Sequence, residues 1–295
     1  MNIVMSTPEP GDLDRVVTAL RGWQNDGGPL HLHPGDLGWY SLRGASATAT
    51  AIRIWARGKR ILAVGLLDGP QLLRMALDPE HSNDDGLALR ILADLQDAKG
   101  GVLDPGEAAV EARGASGLSR ALSGSGWQSD EPWTPLHRDL TGPVENSGLR
   151  VEPVGPDRAD LWVSIHWSAF RDAPLAAEER RRFADGWRAM AAGPFYEDAR
   201  SLIAFDRQGE AVAVAAVWSA GRERPGLVEP LGVHQNHRGQ GHGAAMTLAA
   251  ASALREMGSS CATVCAESSN TGAVATYVAA GFTPSPEVAD FRRTA

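Results

Sequence analysis

Apolar positions in the second half of the chain follow two periods. Leu149, Val151 and Pro153 alternate with polar neighbours, which predicts a strand over 149–154. From Arg158 to Phe170 the apolar residues Leu161, Ile165 and Phe170 recur at helical spacing, with Asp157 as a candidate N-cap. Residues 175–192 read as a charged helix that gathers Phe183, Trp187 and Met190 on one side. Runs at 201–205 and 211–218 flank a turn ending in Gly209, the pattern of a hairpin. A strand follows at 227–233, then a helix at 243–257 with Gly258 as its C′ residue. A strand at 262–266, a helix at 272–280 ending at Gly281, and an extended tail complete the pattern. This order, β-α-α-β-β-β-α-β-α, predicts an α/β fold of the α+β kind with a mixed sheet.

The first half carries a fainter version of the same text. Aligning Leu77 with Val233 puts His81 opposite His237 and Ala88 opposite Ala244. Nearly the same shift aligns Trp127 with Phe282. Two like domains in tandem are predicted, 1–145 and 146–295, divided where Gly142 and Pro143 interrupt a stretch with little to bury.

The densest chemistry lies between the strand at 227–233 and the helix after it. Gly239, Gly241 and Gly243 remove side chains from the backbone there, and Arg238 adds a full charge. Glycine tolerates positive φ, so successive N–H groups can point into one concavity at the positive end of the helix. The loop is therefore a candidate phosphate cradle. Gly239, Gly241 and Ala244 also fit a dinucleotide fingerprint, but that motif opens a βαβ unit with much sheet still to come. Only 52 residues follow Gly243. No Gly-Lys-Ser/Thr follows, so the loop is not a P-loop.

The run Arg238-Gly239-Gln240-Gly241-His242-Gly243, with the block from Asn270 through Tyr277 to Gly281-Phe282, resembles the GNAT acetyltransferase superfamily over roughly residues 150–295. The resemblance implies that Arg238, Gly239, Gln240, Gly241, His242, Gly243 and Ala244 hold the pyrophosphate of acetyl-CoA. It also implies that the backbone of Leu231, Gly232 and Val233 pairs with the pantetheine arm, and that Asn270 contacts the cofactor. Pro230 removes one ladder donor and suits a bulged strand. Tyr277 matches the position that protonates the departing thiolate, and Glu229 a recurrent base position. Alternation puts Glu229 on the face of Leu231 and Val233. His234 is the second candidate base, and a water relay would need neither. The chemistry implied is direct transfer of an acetyl group to an amine in a ternary complex. Transfer to a peptide N-terminus, or a cofactor-binding sensor without turnover, are the alternatives.

The aligned first-half positions have lost this chemistry. Ser82 stands for Arg238, Asp85 for Gly241, Leu87 for Gly243, Ala115 for Asn270 and Leu122 for Tyr277. Asp84 and Asp85 would repel a pyrophosphate, so the first domain reads as a degenerate copy. One working and one decayed domain is also the arrangement of the mycothiol synthase type of GNAT protein.

Composition narrows the partners. With 28 basic and 36 acidic residues the formal charge is −8, which disfavours nucleic acid and leans mildly toward a cationic small-molecule amine. No apolar run is long enough for a membrane span, and no signal-like N-terminus is seen, which predicts a cytoplasmic protein. Cys261 and Cys265 are too few for a disulfide framework and read as small core residues. His31 and His33 lack a partner at ligand spacing, so no metal is expected.

Overall fold

The computed structural model describes residues 2–97 and 102–294. The first stretch comprises β1 (Val4–Ser6), α1 (Leu13–Trp23), α2 (Pro34–Tyr40), α3 (Ala45–Ala51), β2 (Ile52–Arg57), β3 (Arg60–Leu67), β4 (Leu72–Leu77), α4 (Asp85–Gln96), β5 (Ala108–Glu111), α5 (Ser116–Gly124) and β6 (Gln128–Asp139). The second comprises β7 (Arg150–Pro153), α6 (Ala159–Phe170), α7 (Ala177–Ala191), β8 (Ala199–Phe205), β9 (Ala211–Ser219), β10 (Gly226–Val233), α8 (His242–Glu256), β11 (Cys261–Glu267), α9 (Thr271–Ala279), β12 (Thr283–Pro284) and β13 (Val288–Arg293).

The repeat extends to local detail. After β4 a 3-10 turn, Pro79–His81, is capped by the Asp78 side chain accepting from the Glu80 N–H. After β10 the turn Gln235–His237 is capped in the same way by His234 accepting from Asn236. Asp157 does not cap α6 as its position predicts. It sits inside a 3-10 turn, and Arg158 occupies the cap position without a side-chain bond. Gly258 takes φ +86° after α8, as a C′ glycine should.

All thirteen strands join one sheet, in the order β1-β2-β3-β4-β5-β13-β6-β11-β10-β9-β8-β7, with β12 pairing off β6. Among the described residues only β4–β5 and β10–β11 are parallel. The two halves exchange their last strands. The second part of β6 pairs with β11, from Cys261↔Asp139 to Glu267↔Trp133. β13 crosses back to pair with β5 at Phe291↔Val110. A division of the chain near residue 145 therefore separates the repeats in sequence but not the strands in space.

Four apolar clusters pack helices onto both faces. In the second half α6 and α7 cover one face through Trp162, Trp187, Val214 and Trp218, while α8 and α9 cover the other through Met246, Ala250 and Val264. Helix α2 of the first half lies directly on β9 of the second. A Cβ on Gly35 would come 2.4 Å from Trp218 Cβ, and one on Gly38 2.3 Å from Trp218 Cζ3. Real Cβ atoms do not approach so closely, so these two glycines are what let the helix seat there. His33 ties the same junction, with Nε2 3.2 Å from the Pro225 carbonyl. Among the described residues no helix is long and apolar enough to cross a membrane.

Candidate active site

Strands β10 and β11 start paired and then part. They share only Gly226↔Ala262 and Leu227↔Thr263. On its other edge β10 stays paired with β9, but the register slips between Val228 and Leu231, at the cis peptide Glu229–Pro230. Proline brings no N–H to the ladder, so a bulge is a natural place for it. The bulge resets the alternation of the strand. Val228, Leu231 and Val233 all pack in the cluster under α8 and α9, so alternation does not carry Glu229 onto the face of Leu231 and Val233. Instead, its carboxylate faces Arg74 of the first half.

Beyond the bulge, one edge of β10 opens into a wedge-shaped gap. The His234 N–H donates to Val212 of β9. Successive backbone groups alternate edges along a strand, so the Val233 N–H points the other way, into the gap. At the end of the gap stands the glycine loop. Gly239 and Gly241 adopt φ +75° and +83°, where a side chain would meet nothing but the backbone would be strained. Gly243 is needed for closeness, because a Cβ there would lie 2.9 Å from Thr276 Cγ2 of α9. Helix α8 has Gly241 at its N-cap and no side chain capping it. Its first N–H groups therefore face outward at the positive end of the dipole, the physical requirement for holding a phosphate.

Tyr277 of α9 is buried in the cluster that also holds Leu231 and Val233, its ring 6.1 Å from Phe282. Burial, then the Glu229 carboxylate and Cys265, push its hydroxyl up to about 12. It is therefore a phenol at any physiological pH, able to donate a proton. Glu229 is pushed up to about 7 by burial and by Asp36, Glu111 and Asp68, against the pull of Arg74. A carboxylate of that affinity takes and gives up a proton near neutrality.

The first half supplies most of what surrounds Glu229. Arg74 of β4 lies 3.0 Å from Asp36, 3.2 Å from Glu111, 3.7 Å from Glu229 and 4.0 Å from Asp68. Asp36 is fully buried at the first turn of α2, accepts from the His33 N–H at 2.6 Å and faces the Glu229 carboxylate across Arg74. Its own proton affinity is raised by burial. One guanidinium thus faces four carboxylates, a strongly negative pocket floor. None of these first-half residues stands out in a search for site motifs. The one available signal is Arg74 itself, a charge inside the otherwise apolar strand Leu72–Leu77.

Other candidates take other places. His234 spends its Nδ1 on the Asn236 N–H and lines a separate cleft with Trp167 and Arg171, away from Tyr277. Arg238 donates to the Ala169 carbonyl at 2.8 Å and so ties the loop to the end of α6. Gln240 and Ala244 flank the open helix start, and His242 begins it. Gly232 is the seat of α6, since a Cβ there would lie 2.6 Å from Ala169 Cβ. Asn270 caps α9, accepting from the Ala273 N–H at 3.1 Å. Trp187 is core, whereas Trp167 borders the cleft. Burial pushes the Cys261 and Cys265 thiols up to about 12 and about 11, so neither is a nucleophile.

The corresponding helix start in the first half is capped. Asp84 caps α4 by accepting from the Leu87 N–H at 3.0 Å. Leu122 and Ala115 are buried in the core under α4 and α5. The Gly117 N–H donates to the Ser82 carbonyl at 2.9 Å, which closes the loop against α5.

Residues 160–282 match the model of the acetyltransferase (GNAT) family. That match lies wholly in the second half of the chain, and the mixed α/β fold is shared with tandem GNAT proteins. Among curated proteins the chain is similar to the mycothiol acetyltransferase of Thermobispora bispora, 29% identical over 208 residues, which are 67% of this chain and 68% of that one. It is 34% identical over 140 residues to the mycothiol acetyltransferase of Sanguibacter keddieii, over 46% of this chain and 43% of that one. Among solved structures, a tandem GNAT protein from the clavulanic acid biosynthesis pathway shares the fold with a TM-score of 0.63 at 19% identity, covering 99% of this chain and 98% of the other. An acetyltransferase of the GNAT family from Colwellia psychrerythraea does so with a TM-score of 0.57 at 16% identity, over 99% of both chains.

Proposed function

We propose that this protein moves an acetyl group from acetyl-CoA to the amine of a small molecule, at the gap between β10 and β11. The observation that carries the reading is the uncapped start of α8 behind a glycine loop, next to the place where β10 parts from β11. The N–H groups at 239–244 hold the pyrophosphate, and the free edge of Leu231, Gly232 and Val233 aligns the pantetheine arm. Glu229 takes a proton from the incoming ammonium, directly or through water, so that a neutral nitrogen attacks the thioester carbon. The Val233 N–H stabilises charge on the carbonyl oxygen. The C–N bond forms, the C–S bond breaks, Tyr277 gives its proton to the leaving thiolate, and the proton shed by the acylated nitrogen returns through water to Tyr277. The products are an amide and free CoA. The negative floor around Arg74 suits an acceptor that arrives as a cation. The curated relatives, named as mycothiol acetyltransferases, support a small-molecule amine over a protein N-terminus.

Acetyl transfer over a panel of primary amines tests this, read as thiol release. Glu229→Gln is expected to lower kcat by about 10²-fold or more, and to remove the fall in rate below pH ~7, the midpoint set by Glu229. Tyr277→Phe is expected to lower kcat by about 10²-fold while leaving the affinity for acetyl-CoA unchanged. Wild-type rates in both variants would refute the assignment of base and acid.

A further inference from the structure

A second cavity opens next to the bulge of β10, and its chemistry is opposite to that of the Arg74 floor. It is about 730 Å³ and includes Pro230, the residue after Glu229. Its walls come from both halves: Trp39 and Arg43 from the first, His166, Phe170, Phe183 and their neighbours from α6, α7 and the link between them. Three guanidiniums line it, Arg43, Arg171 and Arg182, against the single carboxylate of Glu179. Arg43 stacks over Tyr40 at 4.1 Å and reaches Asp68 only at 3.9 Å. Arg171 lies 5.8 Å from the Trp167 ring, and neither it nor Arg182 has a carboxylate partner among the described residues.

The cavity wall is built rather than incidental. His166 is stacked on Trp162 with centroids 5.1 Å apart, and meets Trp39, Phe170 and Phe183 within 4.8–5.5 Å. Burial, with the Arg171 charge, pushes His166 down to about 4, so it stays neutral, and its buried Nδ1 has no hydrogen-bond partner. An aromatic wall with unpaired guanidiniums at its mouth favours a ligand that is flat or apolar in the middle and anionic at one end.

Helix α2 connects this cavity to the Arg74 floor. Asp36 and Trp39 are three residues apart on α2 and so lie on one side of it, roughly 5–6 Å apart at Cβ. Asp36 points to Glu229, and Trp39 lines the cavity. We infer that the acceptor is a two-poled molecule: a primary amine delivered to Glu229 and Asp36, with a carboxylate or phosphate some bonds away held by Arg43, Arg171 and Arg182. This rests on the acetyltransferase reading above and narrows its substrate class.

The test uses the full chain, acetyl-CoA and matched acceptor triplets. Each triplet has one amine scaffold bearing a carboxylate, a phosphate or a neutral amide or hydroxyl at the far end. At least one anionic member is expected to exceed its neutral counterpart about tenfold or more in kcat/KM, through KM, and the triplet tells carboxylate from phosphate. In the double variant Arg171→Ala, Arg182→Ala that preference is expected to collapse, while calorimetry still shows acetyl-CoA bound. Both side chains are exposed, so folding is not at stake. Equal rates for neutral and anionic members, or an undiminished preference in the double variant, would overturn the inference and leave the acetyltransferase reading standing. No transfer to any amine would overturn both.

Discussion

Two helix starts, that of α4 and that of α8, occupy the same place in the two halves, each reached from a parallel-paired strand through a capped 3-10 turn. Every helix start offers unpaired N–H groups and a partial positive charge, and something must meet them. In the first half the chain meets the demand itself: Asp84 accepts from Leu87, and that bond holds the Asp84 carboxyl below its usual range. In the second half Gly241 stands at the cap with φ +83° and nothing answers. The same local geometry is capped by a side chain in one copy and left open in the other. The capped start of α4 gains local stability, and the open start of α8 forgoes a cap worth about 1 kcal/mol.

Putting the first-half residue into the second half should break this contrast most strongly. Gly241→Asp adds a carboxylate at the proposed pyrophosphate site and forces a non-glycine residue to φ +83°. Acetyl-CoA affinity is expected to fall at least about 100-fold by calorimetry, since like charges in a partly dehydrated site repel by several kcal/mol. The degenerate half is not inert, however, because it brings Arg74 to the site. Arg74→Met removes the one cation that draws Glu229 down, so the Glu229 carboxyl should rise further above about 7. A pH profile of kcat/KM is expected to show its acid limb moved alkaline by about one unit or more. Acetyl-CoA binding should persist, which separates this effect from unfolding. The smallest effect is expected at the cap itself. Asp84→Ala should cost about 0.5–2 kcal/mol of stability by denaturant unfolding, and should create no acetyl-CoA site because Leu122 and Ala115 stay buried in the core under α4 and α5.

The reach of the sequence differs between these regions for physical reasons. The cradle is written in contiguous residues, Arg238 to Ala244, and its glycines are needed for backbone conformations that depend only on local sterics. The element order of the second half follows from periodicity in the same way, and so does the repeat. The surroundings of Glu229 come from Asp36, Asp68, Arg74 and Glu111, which lie on three elements and a turn of the other half. No local pattern joins them. The exchange of β6 and β13 is equally invisible, since both strands read as ordinary tails of their own halves. The orientation of Glu229 is misread by alternation because a bulge at Pro230 adds one residue that period-two counting does not see.

The central claim is that one half of a duplicated chain holds acetyl-CoA and the other has closed that site with its own side chains. Calorimetric titration of the full chain with acetyl-CoA tests it most directly. The account predicts one site per chain in the wild type and none in Gly241→Asp. Two sites, or one site that survives Gly241→Asp, would contradict it.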